Sequence, residues 1–158
     1  MNRLKYLYSY FEEVVSTALL AVMAVFAFLN VLTRYFIHYS FAFTEEIEVA
    51  LLVWITMLGA AAGFRRGMHL GFHFLSDKIP AAGRKVLLMV GALLAVFCFG
   101  VLFRFSLVQI RDELQLSVTT EALGIPQWWY TLALTVGSVL VIFRVVETTV
   151  NTLRGKED

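Results

Sequence analysis

The chain has 158 residues, of which 59% are hydrophobic and only 16% charged, and its formal net charge is +1. A mean hydropathy of +0.77 excludes an ordinary water-soluble domain, and so even a charge balance gives no reason to expect a nucleic-acid partner. The single cysteine, Cys98, cannot close an internal disulfide.

Four windows contain no Asp, Glu, Lys, Arg or His: residues 14–33, 49–64, 86–103 and 122–143. Crossing the hydrocarbon layer takes ~20 mainly apolar residues, a length each window reaches with its flanking turn. Backbone polar groups in lipid must be satisfied within the segment, so the windows are read as helices. The expected fold is an all-α integral membrane protein, one domain over residues 1–158 with spans near 14–33, 46–65, 86–106 and 126–146. Arg3, Lys5, Arg65, Arg66, Lys78, Arg84, Lys85, Arg144, Arg154 and Lys156 flank one side of these spans, and only Arg34, Arg104 and Arg111 the other. By the excess of Lys and Arg on the inner side, both termini are expected in the cytoplasm.

In chain order, Leu4, Leu7, Tyr8 and Phe11 form a stripe that continues the first helix towards its N-terminus. Glu12 and Glu13 precede an apolar run too long for a signal-peptide core, so the first span is read as a retained anchor. Near its outer end Asn30 and Arg34 share a face, and Arg34 can snorkel to the interface. An aromatic connection holding His38 leads to Thr44, a candidate N-cap, with Glu45 and Glu46 in the first turn where the helix dipole favours anions. Glu48, one turn deeper, calls for a partner, and Arg34 and Asn30 are the nearest candidates in sequence. Gly59 and Gly63 give the second span a small-residue surface suited to helix contact.

Between the second and third spans, Met68, Phe72, Leu75 and Ile79 fall on one stripe and Arg66, His69, His73 and Asp77 on the opposite one. The pattern predicts an amphipathic helix lying in the membrane interface and ended by Pro80. His69 and His73, one turn apart, have the spacing of a metal pair; with no fourth ligand in reach, the polar face of an interfacial helix accounts for them. The third helix outruns its window, since Phe103, Leu107, Ile110 and Leu114 continue the stripe. Gly124 breaks the chain, Pro126 is expected in the first turn of the fourth helix, and Trp128, Trp129 and Tyr130 form an aromatic belt at the outer interface. At the inner end Arg144 and Glu147 are spaced to pair.

No ionisable residue falls in the middle of any span, whereas proton relays and ion sites in membranes are built from such residues. No span is broken by Gly or Pro in the way of a midplane substrate site. His38, His69 and His73 all lie outside the spans, which disfavours a membrane haem, and one cysteine disfavours thiol redox chemistry. Neither an enzyme nor a transporter acting alone is expected, and no cofactor or metal is assigned to the chain.

The ordered set Asn30-Val-Leu-Thr-Arg34-Tyr35, Thr44-Glu45-Glu46, Trp54, Leu58-Gly59-Ala60, Arg65 with His69, and Leu123-Gly-Ile-Pro126 resembles the small membrane subunit of tripartite ATP-independent periplasmic (TRAP) transporters, the DctQ-like family. His73 departs from the pattern, which has a carboxylate after the His69 motif. The resemblance implies a scaffold subunit of the bacterial inner membrane. Its implied partners are a large many-helix membrane subunit, which carries the substrate and sodium sites, and a periplasmic substrate-binding protein. The implied activity is sodium-coupled uptake of an organic acid such as sialic acid or a C4-dicarboxylate. Under it, Arg34, Asn30 and the Glu45, Glu46, Glu48 group are expected to tie the outer ends of the first two helices. The alternative is a self-associating four-helix protein, such as a small exporter, working without partners.

Overall fold

The computed structural model describes residues 3–36, 38, 41–65 and 81–154; the expected interfacial helix, with Met68, His69, Phe72, Leu75 and Ile79, lies outside them. The described chain forms four long helices: α1 (Arg3–Phe36), α2 (Ala42–Arg65), α3 (Ala81–Gln115) and α4 (Trp128–Leu153). All four are long and apolar enough to cross a membrane. Helices α1 and α4 therefore bring the start and finish of the described chain to one end of the bundle, here called proximal; the α1–α2 and α3–α4 connections lie at the distal end.

Absence of proline and glycine lets α1 run unbroken for 34 residues, ~51 Å at the helical rise. Beyond it His38 takes a positive φ of 56°. Thr44 is not an N-cap: α2 begins two residues earlier, and the Thr44 hydroxyl donates to the Phe41 carbonyl at 2.6 Å. Helix α3 extends to Gln115, as its long stripe predicts, and ends in a Schellman turn. There Val118 N–H donates to the Glu113 carbonyl and Ser117 N–H to that of Leu114, with Ser117 in the left-handed region at φ 49°. Pro126 precedes α4 rather than opening it. It faces Thr119 in a short two-stranded turn closed by Thr120 N–H to the Ile125 carbonyl and Gln127 N–H to that of Val118. Having no N–H, proline suits that edge position.

In space the helices follow the order α1, α2, α4, α3. The two inner helices bury the most: Met57, Leu58 and Ala61 on α2, and Ala133, Gly137, Ser138, Val141 and Val145 on α4. Small residues make this possible. A methyl built on Gly137 would stand 2.6 Å from Met57 Cγ and closer still to its Cβ, so α2 and α4 approach at a position where no side chain intervenes. Around Ala61 and Val141 pack Phe64 of α2 and Ala95, Val96 and Phe99 of α3, with Phe64 and Phe99 edge-on at 6.1 Å.

Hydropathy and burial run opposite to the pattern of a soluble protein. The most apolar windows, those of α3 and α1 with hydropathy 2.9 and 2.3, contain no buried residue, whereas α4 has the lowest value, 1.8, and the largest buried share. Where the surroundings are as apolar as a leucine side chain, burial selects for small residues and hydrogen bonds, not for hydrophobicity. Buried Thr131, Ser138 and Ser106 follow from this: Thr135 donates to Ser106 across the α3–α4 seam at 2.9 Å, and Ser138 bonds back to the Leu134 carbonyl.

Candidate functional site

Charge gathers at both ends of the bundle. Adjacent helical residues point ~100° apart, so Glu12 and Glu13 of α1 reach different neighbours. Glu13 pairs with Arg65 at the C-terminus of α2, and Glu12 pairs with Arg144 Nε of α4, 132 residues away in sequence. Arg144 also donates to Glu147 at 2.6 Å, the pair expected from their spacing. The Arg65 guanidinium lies 5.5 Å from the centre of the Tyr10 ring. Glu12 is fully buried and Arg144 only 4% exposed. Two charges enclosed this deeply are tolerated when each satisfies the other, and they hold one geometry because no other arrangement compensates them. Among the described residues, α1 has no buried apolar anchor; its proximal position is fixed by these ion pairs with both inner helices.

At the distal end Glu46 reaches across to the turn before α4. Its two oxygens accept Ala122 N–H at 2.6 Å and Leu123 N–H at 3.1 Å, in a turn completed by Gly124 at φ +63°. A carboxylate accepting two backbone donors organises the turn as a helix N-terminus binds an anion. Glu46→Ala should therefore speed amide hydrogen exchange at Ala122 and Leu123 while leaving the amides of α4 unchanged; equal protection in the variant would refute the clamp. A turn deeper between α3 and α4, buried Glu113 accepts the Thr131 hydroxyl at 2.9 Å and the Gln109 amide at 2.9 Å.

The residues singled out in the sequence are distributed unevenly over this geometry. Arg34 is exposed and has no hydrogen bond or ion pair among the described residues, so the expected tie from Arg34 to Glu45, Glu46 and Glu48 does not form. Glu46 is occupied by the distal turn, Glu45 points outward, and Glu48 is half-buried with Oε1 lacking a hydrogen-bond partner. Asn30 is half-buried, and its carbonyl accepts the Thr33 hydroxyl. Trp54 is half-buried, and nothing lies within 4 Å of a methyl built on Gly59 or Gly63, so these glycines serve no contact within the described chain. Trp128 and Trp129 stack at 4.7 Å, beside half-buried Tyr130. Arg65 joins the proximal cluster.

Sequence reading missed the pairing of Glu12 with Arg144 and of Glu13 with Arg65, the buried Glu113, and the close approach at Gly137. One signal was available. Two adjacent carboxylates at the mouth of an apolar span, on the side otherwise rich in Lys and Arg, require cations, and Arg65 and Arg144 close spans on that same side. No group of three or more His, Cys, Asp or Glu among the described residues could hold a metal ion. The arrangement brings together structural ion pairs and hydrogen bonds at the two ends of a membrane bundle.

Residues 10–155 match the family described as the DctQ component of tripartite ATP-independent periplasmic transporters. A Haemophilus influenzae protein assigned as a TRAP transporter small permease is 28% identical over 148 residues, 91% of each chain. The sialic acid TRAP transporter small permease protein SiaQ of Vibrio cholerae is 24% identical, covering 90% of this chain and 82% of its own. A match of 30% identity to the sialic acid TRAP transporter permease protein SiaT of Haemophilus influenzae covers 85% of this chain but only 22% of that longer one. With a match over nearly its whole length and four membrane-length helices tied at both ends, this chain belongs to the DctQ component family of tripartite ATP-independent periplasmic transporters.

Proposed function

We propose that the chain is the small scaffold subunit of a TRAP transporter, bracing a large many-helix membrane subunit that carries the solute and sodium sites and cooperates with a periplasmic solute-binding protein. The carrying observation is that the buried ionisable side chains of the described residues, Glu12, Glu113 and Arg144, are each held by side chains of this same chain at one end of the bundle or the other. Solute or ion translocation needs polar groups available at membrane depth, and each of these side chains is already held by a contact within the chain. A relative in which the matching segment is about a fifth of a longer permease supports a working unit larger than this chain.

In this reading the proximal end, with Arg65 and Arg144, faces the cytoplasm, and the Glu46-clamped turn faces the periplasm of a bacterial inner membrane. The solute is a carboxylate-bearing small molecule; relatives are named for sialic acid, C4-dicarboxylate and ectoine. The test is uptake of radiolabelled sialic acid, succinate and ectoine by cells expressing the large subunit and binding protein from the same gene neighbourhood, with and without this chain. One solute should accumulate in a sodium-dependent manner only when the chain is present. Full uptake without it would overturn the proposal.

A further inference from the structure

No further inference is drawn: the strongest candidate, the side-chain cluster at the proximal end of the bundle where Glu12 Oε2 and Ser16 Oγ have no hydrogen-bond partner among the described residues, belongs to the ion-pair site already described, and nothing in the structure shows which ligand would answer those two oxygens.

Discussion

Replacing Arg144 by alanine should lower the unfolding free energy by about 3–5 kcal/mol, the largest effect expected of any single substitution in this chain. The reason lies in what remains. Glu12 has no solvent exposure, and its Oε1 is held by Arg144 Nε. Without the guanidinium, an ionised carboxylate is enclosed among helices with no cation, and Glu147 loses its partner as well. In a chain of this size such a loss corresponds to a fall of roughly 10 °C in the midpoint of thermal unfolding. The double substitution Glu12→Gln with Arg144→Ala should recover a large part of it, because the penalty is the unpaired charge and not the missing side chain. Arg144→Lys should fall between, since an ammonium keeps the charge but cannot serve Glu12 and Glu147 from a planar fork. Thermal unfolding of the detergent-solubilised protein reads all three. A single variant within about 1 kcal/mol of the parent would show that the cluster is not the anchor of α1.

Second in size is Gly137→Ala, expected to destabilise by about 1–3 kcal/mol through forced separation of α2 and α4. The added methyl meets Met57 Cβ and Cγ, atoms next to the backbone that cannot swing away as a side-chain tip can. Relief requires moving one helix against the other, which also loosens the packing of Ala61 against Val141. Gly59→Ala and Gly63→Ala supply the internal comparison, because a methyl at either position meets no atom within 4 Å. Each should leave the isolated chain no less stable than the parent, with a gain of up to about 1 kcal/mol from helix propensity. The same unfolding measurement distinguishes them: an equal gain at all three glycines would mean that helix propensity, not helix contact, sets the effect.

These two positions mark the limits of sequence reading here. Gly137 sits in a window that gives no sign of which glycine is pressed against a neighbour, whereas Gly59 and Gly63 form the recognisable motif and have open space where a methyl would stand. A spacing rule reports which residues share a helical face, not whether that face meets another helix. Glu46 makes the same point. Its place near the start of α2 suited a helix-dipole role and a partner in Arg34, yet it closes a turn some 76 residues further on. Arg34 had a nearer carboxylate in sequence but points away from the bundle.

The four membrane-length helices, the pairing of Arg144 with Glu147 and the family were all legible in the residues, since each depends on local quantities: the hydration cost of apolar runs, the 3.6-residue repeat and the order of short motifs. The order α1, α2, α4, α3, the bridge from Glu12 to Arg144 and the grip of Glu46 on Ala122 and Leu123 came from the folded chain. Every span is apolar enough to cross a membrane, so hydrophobicity by itself cannot choose between neighbours. That choice falls to a few small residues and buried charges, whose partners are defined only when distant helices meet.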